Sequence, residues 1–105
     1  MKRYCITKID IPVYPILRLT FDDGLMGELD MRGNIQRAAL FAPLRDEAFF
    51  HQVKLGEDGR SFGWRLDQLG SEIDLGADAA RADIETALVV ARAEKFKARM
   101  SHAAE

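Results

Sequence analysis

The chain has 105 residues, of which 48% are hydrophobic and 30% charged, which is the size and composition of a single globular domain. Its formal net charge of -2 gives no electrostatic reason to expect nucleic acid as a partner, and no apolar run approaches the ~20 residues that a membrane-spanning helix needs. No apolar segment typical of a secretory signal follows the start, and the single cysteine, Cys5, cannot form an internal disulfide, so we expect a cytoplasmic protein.

The first strand is predicted over residues 3–11, where β-branched residues recur at alternate positions. Cys5 and Ile9 have the same parity in this segment, so both are expected on one face, with Cys5 as a small buried side chain. Pro12 and Pro15 follow, and each lacks a backbone donor, so the pattern predicts a connection or a sheet edge there.

The second strand, Ile16 to Phe21, leads into the acidic turn Asp22-Asp23-Gly24. A two-residue loop would place Leu17 opposite Asp30 and mix apolar and acidic side chains on the buried face. A three-residue loop with a left-handed glycine places Leu17 opposite Leu29, which keeps that face apolar. We therefore predict the three-residue loop, with both aspartates serving the turn.

A second hairpin is predicted around Asp58-Gly59, because a two-residue turn there places Leu55 opposite Phe62. Trp64 has the same parity as Phe62 and is expected in the core. Gly63 lies between them, in mid-strand, which indicates a bulge or a close approach of another backbone.

The two hairpins are joined by a segment that predicts short helical turns. Arg32-Gly33-Asn34 is a turn signal, with Asp30 placed to cap it. Residues Ile35 to Phe41 are expected to form one or two helical turns that stop at Pro43, and Asp46 to Phe50 another.

The last third of the chain predicts one long helix over about 77–101, since it lacks glycine and proline and is rich in alanine. Its acids precede its bases, which is the order that the helix dipole favours. The predicted fold class is therefore α+β: a small antiparallel sheet of two hairpins plus an N-terminal strand, a short helical link and a long C-terminal helix. Residues 1–76 and the helical residues 77–105 are expected to belong to one domain.

The predicted helix carries two apolar stripes on opposite sides, at about 100° per residue. The first consists of Ala80, Ile84, Ala87, Leu88 and Ala91. The second consists of Val89, Ala93, Phe96 and Met100. A helix that lies on a sheet needs only the first stripe, so the second predicts a homo-oligomeric contact, unless the tail is frayed or covered internally.

The end of the helix is basic and contains Arg92, Lys95, Lys97 and Arg99. These residues are candidates for contact with phosphate groups or an acidic protein, although a solvated helix end explains them as well.

The chain shows no catalytic constellation, no spacing of metal ligands and no phosphate-cradling loop, so we expect no cofactor and no enzymatic activity. One catalytic hypothesis is a small enzyme in which His51 acts with Asp30 or Asp46, and the sequence supports it less than it supports the non-enzymatic functions.

Several short motifs within residues 5–76 resemble the bacterial family of domains of unknown function numbered 2442. They are Phe21-Asp22-Asp23-Gly24, Glu28-Leu29-Asp30, Leu40-Phe41, Leu44-Arg45-Asp46, Phe49-Phe50 and Phe62-Gly63-Trp64. The resemblance implies a small α+β fold without established enzyme activity. Some members of that family carry an added helix-turn-helix, and some occur beside a small partner protein, which implies antitoxin-like or regulatory roles.

The sequence departs from the family pattern in two places. Trp64 is followed by Arg65-Leu66-Asp67, where relatives commonly have a proline and a polar turn. A single long helix follows Asp74-Leu75 and leaves no room for a helix-turn-helix, so a role in reading DNA is not implied.

These observations predict a non-enzymatic protein-interaction or regulatory module that pairs through its C-terminal helix and binds another small protein. The alternative is a nucleic-acid-associated regulator that uses the basic end of the helix.

Overall fold

The computed structural model describes residues 3–103 and has the predicted α+β fold, with a long C-terminal helix. The strands are β1 Ile6–Val13, β2 Ile16–Phe21, β3 Met26–Asp30, β4 Lys54–Leu55, β5 Ser61–Trp64 and β6 Ile73–Gly76. The helices are α1 Arg32–Arg37, α2 Glu47–Phe50 and α3 Ala77–Ala103, and a 3₁₀ segment covers Ala39–Arg45. No helix of this part of the chain is both long enough and apolar enough to cross a membrane.

The strands form two antiparallel sheets of three strands, in the orders β1-β2-β3 and β4-β5-β6, where the sequence predicted one sheet. Strand β6, Ile73–Gly76, is the addition, because no strand was predicted between the second hairpin and the long helix. Gly63 makes its pairing with β5 feasible: a Cβ atom at this position would overlap the Ile73 carbonyl oxygen. The predicted close backbone approach at Gly63 is thereby confirmed.

The first hairpin has the predicted register. Leu17 pairs with Leu29 across β2 and β3, and the backbone N–H of Phe21 donates to the Leu25 carbonyl oxygen at 2.8 Å. Gly24 has a φ of +90°, the left-handed conformation that a three-residue loop requires.

The predicted faces of β1 are wrong, because the strand starts at Ile6 and contains a register shift between Ile6 and Lys8. Ile6 is buried, whereas Cys5 precedes the strand and is only partly buried. A bulge of this kind inserts one residue and exchanges the faces on either side of it. The prediction of an edge near Pro12 is confirmed, since β1 lies at the edge of its sheet.

The second hairpin turns at Asp58-Gly59, as predicted. Both residues have positive φ, 56° and 71°, and the Arg60 N–H donates to the Glu57 carbonyl oxygen at 3.1 Å. This is the pattern of a type I′ turn. Leu55 pairs with Phe62 as predicted, and β4 is only two residues long.

Two aspartates accept hydrogen bonds from backbone N–H groups at the start of the short helices, and of these Asp46 is the N-cap of α2, whereas the N-cap of α1 is Met31. Asp46 accepts hydrogen bonds from the N–H groups of Ala48 and Phe49, so α2 begins where the sequence predicts. Asp30 accepts from the N–H and the guanidinium of Arg32, and these bonds lower the pKa of the Asp30 carboxyl. Pro43 does not stop the link helix; it lies within the 3₁₀ segment.

One hydrophobic core joins both sheets, the link and the start of α3. Its buried members are Ile6, Leu17, Leu19, Phe21, Met31, Ile35, Phe41, Leu44, Phe50, Phe62, Trp64, Ile73, Ala77, Ala80 and Ile84. Trp64 is buried as predicted, and its indole N–H donates to the Phe50 carbonyl oxygen at 2.8 Å. The two sheets are therefore parts of a single packing unit.

The type I′ turn supports a test of the second hairpin. Gly59→Ala places a Cβ against the Ile6 carbonyl oxygen and forces alanine into a left-handed conformation. We expect the free energy of unfolding to fall by more than about 2 kcal/mol in urea titrations. Gly76→Ala is the matched control, because a Cβ there has no neighbour within 4 Å. It should change the stability by less than about 1 kcal/mol, and equal losses in both variants would contradict this account of the turn.

Candidate protein-interaction surface on the terminal helix

The first two turns of α3 are anchored in the domain. The Ala77 N–H donates to the Arg60 carbonyl oxygen at 2.8 Å, which joins the helix start to the second hairpin. The Asp78 carboxylate accepts from the Tyr4 N–H at 2.9 Å, which joins it to the N-terminal segment. Ala80 and Ile84 are buried on the same side of the helix. These contacts fix the direction in which α3 leaves the domain.

Arg81 makes the strongest polar contact between the first two turns of α3 and the domain. Its guanidinium donates two hydrogen bonds to Asp23, both at 2.9 Å, and a third to Glu85 at 2.8 Å. The group also lies over the rings of Tyr4 and Phe21, at 4.2 and 5.0 Å from their centroids. A planar guanidinium can pair with a carboxylate through both nitrogens while its faces stack on aromatic rings.

The Asp23 carboxylate raises the pKa of Arg81 above its usual range through these hydrogen bonds, so the cation is permanent. The Arg81 side chain is only 9% exposed, and the contact with Asp23 lies between residues 58 positions apart in the chain. The acidic turn of the first hairpin is consequently fixed to the helix.

The contact between Arg81 and Asp23 was not predicted from the sequence. The prediction for Asp23 was limited to its turn, where it does accept a hydrogen bond from the Leu25 N–H at 3.2 Å. Arg81 was not singled out, because a base near the start of a helix is commonly solvated. The available signal was its position: one residue after Ala80 and three before Ile84, at the margin of the buried stripe.

The first predicted stripe contacts the domain only at its start. Ala80 and Ile84 are buried, whereas Ala87, Leu88 and Ala91 are exposed, which corrects the prediction for those three residues. Leu88 is 46% exposed and lies at the edge of an open groove of about 470 Å³ beside Met26 of β3. The domain surface ends at this groove, so the helix continues beyond it.

The second predicted stripe faces solvent. Val89 is 65% and Phe96 63% exposed, and Ala93 is exposed as well. The side chain of Met100 lies outside the described residues. The structure continues as a helix through Ala103, and the described residues do not cover the stripe. Neither a frayed tail nor an internal cover therefore describes this segment.

The projecting part of α3 changes the shape of the whole molecule. Every side chain from Glu85 to Arg99 is exposed. The radius of gyration is 16.1 Å, against about 13 Å for a compact chain of this length, and the longest dimension is 58 Å. The structure thus consists of a packed body and a projecting helical segment. We call the exposed segment from Glu85 to Arg99 the helical arm.

The basic candidates lie on this arm. Arg92, Lys95, Lys97 and Arg99 are all exposed, and no ion pair within residues 3–103 involves any of them. At about 100° per residue three of them point to one side, and Lys97 points away from that side.

The residues of the catalytic hypothesis are committed to other partners. His51 is half exposed, and its Nε2 atom lies 4.0 Å from Glu47 Oε1. Asp46 caps α2 and Asp30 binds Arg32, so neither carboxylate is a hydrogen-bond partner of His51. In the part of the chain that the structure describes, no three His, Cys, Asp or Glu side chains are grouped closely enough to hold a metal ion.

Comparison with known proteins gives no match. No family model matches the chain, and neither a curated protein nor a solved structure is significantly similar to it. The resemblance to the bacterial family numbered 2442 therefore stays a prediction.

A substitution of Arg81 tests the anchor. Arg81→Met keeps much of the apolar stem but removes the hydrogen bonds to Asp23 and Glu85. We expect the free energy of unfolding to fall by about 2–3 kcal/mol and the Tm by roughly 10 °C in calorimetry. Arg92→Met, an exposed arginine of the same helix, should change the stability by less than about 0.5 kcal/mol. If the two variants are equally stable, the contact with Asp23 does not anchor the helix.

Proposed function

We propose that this chain is a non-enzymatic protein-interaction module of a regulatory, antitoxin-like kind, which self-associates through the exposed stripe of α3. The observation that carries the proposal is the projecting arm itself. It presents Val89 and Phe96 to solvent on one side, in a segment whose described side chains are all exposed after Ile84.

An exposed helix of this kind is poorly stabilised while it remains unpaired. Helices in proteins derive most of their stability from packing an amphipathic face, and short isolated helices are marginal in water. The segment from Glu85 to Arg99 has apolar side chains on more than one side, including Leu88 and Val90 at 46% and 51% exposed. A second helix that packs on the stripe would remove Val89 and Phe96 from water.

The apolar surface that a dimer would bury predicts a weak, concentration-dependent complex. Full burial of a large apolar side chain contributes about 1.5–3 kcal/mol, and a symmetric pair would bury Val89 and Phe96 twice. The cost of association offsets most of this gain, so we expect a weak dimer that forms only as the protein concentration rises. Such an affinity suits a regulatory contact that responds to protein concentration.

The regulatory part of the proposal is supported by the resemblance of residues 5–76 to a family whose members occur beside small partner proteins. A small protein that binds the helical arm or the groove beside it is the expected second partner.

The stripe is tested by Phe96→Asp in sedimentation velocity, with protein concentrations from about 1 to about 500 μM. The wild-type chain should form dimers as the concentration rises, and Phe96→Asp should remain monomeric because a carboxylate would have to be buried in the contact. A wild-type chain that is monomeric over the whole range would overturn the self-association.

Two control variants keep the test specific. Leu69→Asp removes an apolar side chain that is fully exposed on a loop, and Ala91→Asp introduces the same charge on the opposite side of the helix. Both should dimerise like the wild type, and circular dichroism should give the same helix content for all four proteins. Equal loss of dimer in all three variants would assign the effect to charge rather than to the stripe.

A further inference from the structure

The exposed stripe of α3 has the spacing of a two-helix coiled coil. Its positions alternate steps of four and three residues, the pattern that keeps side chains on one seam. They are Ala82, Thr86, Val89, Ala93, Phe96 and Met100. We call these six residues the seam. The members of the seam up to Phe96 lie opposite Ala80 and Ile84, so they point away from the packed body.

Charged residues flank the seam in a definite order. One flank consists of Glu85, Arg92 and Arg99, and the other of Asp83, Val90 and Lys97. Each flank thus begins with an acid and ends with a base. Within the described residues, Asp83, Lys97 and Arg99 take part in no ion pair, and Glu85 uses one oxygen for Arg81. The flanking charges are therefore available to a partner.

We infer that the occupant of the seam is a second copy of this chain, docked antiparallel and centred near Ala91. This arrangement rests on the self-association proposed above. It places Val89 opposite Ala93 of the partner subunit and Thr86 opposite Phe96 of the partner subunit. The seams then overlap over residues 82–100, or about 28 Å of helix.

The charges select this orientation. In the antiparallel pair, Asp83 faces Lys97 of the partner subunit and Glu85 faces Arg99 of the partner subunit, and symmetry makes each pair twice. The one like-charged pair is Arg92 with its own copy at the two-fold axis. A second copy complements the charge pattern of the first because the acidic start meets the basic end.

A parallel pair would bring like charges together. It would place Arg92 beside Lys97 of the partner subunit, twice, and would leave Glu85 beside the uncharged Val90 of the partner subunit. The parallel pair has two repulsive contacts and no attractive one, whereas the antiparallel pair has four attractive contacts and one repulsive contact, so the charges favour the antiparallel form.

Charge reversal tests the register. Asp83→Lys should raise the dissociation constant of the dimer by about tenfold, because two attractive pairs become repulsive. The double variant Asp83→Lys with Lys97→Asp restores the attraction and should bring the constant back to within about threefold of the wild type. Glu94→Lys, on the side of the helix away from the seam, should leave it unchanged. No rescue in the double variant overturns the register.

The orientation is measured with spin labels. Cys5 is the only cysteine, so Cys5→Ser with Ser101→Cys carries one nitroxide per chain. At 1.5 Å per residue, the antiparallel pair separates the two labels by about 30 Å, whereas a parallel pair holds them within about 20 Å. A dimer with the short distance overturns the antiparallel arrangement but leaves self-association standing. A chain that stays monomeric removes both.

Discussion

The contact between Arg81 and Asp23 is the constraint that organises this molecule. It joins the loop of the first hairpin to the helix through two hydrogen bonds of 2.9 Å, and the stacked rings of Tyr4 and Phe21 hold the guanidinium in place. A bidentate pair fixes an angle as well as a distance, because a planar guanidinium and a carboxylate meet in one geometry. The helix therefore starts in one direction only.

The helical arm follows from this anchor. The body buries side chains of α3 as far as Ile84, and the helix continues to Ala103 with every described side chain after Ile84 exposed. A rigid start combined with an uncovered end presents an apolar stripe at a fixed angle, which is a suitable geometry for recognition by another helix. Preorganised surfaces of this kind lose less conformational entropy on binding than flexible tails do.

The local features of the fold could be predicted, and the contacts between distant segments could not. The left-handed Gly24 and the Asp58-Gly59 turn were predictable because both are dictated by neighbouring residues. Strand β6 was missed because four residues carry too little pattern to be distinguished from the entry to a helix. The faces of β1 were wrong because one inserted residue exchanges them, and alternation alone does not locate a bulge.

The candidate interaction surface likewise has local features that the sequence predicts and burial that it does not predict. The sequence by itself determined the helix, its two apolar stripes and the order of its charges, since helical periodicity places residues 3.6 per turn regardless of the rest of the chain. Only the tertiary structure decided that Ala87 and Leu88 stay exposed beside the groove at β3 while Val89 and Phe96 face solvent. The reason is that burial depends on where the domain surface ends, and that is set by Arg81 binding a loop 58 positions earlier in the chain.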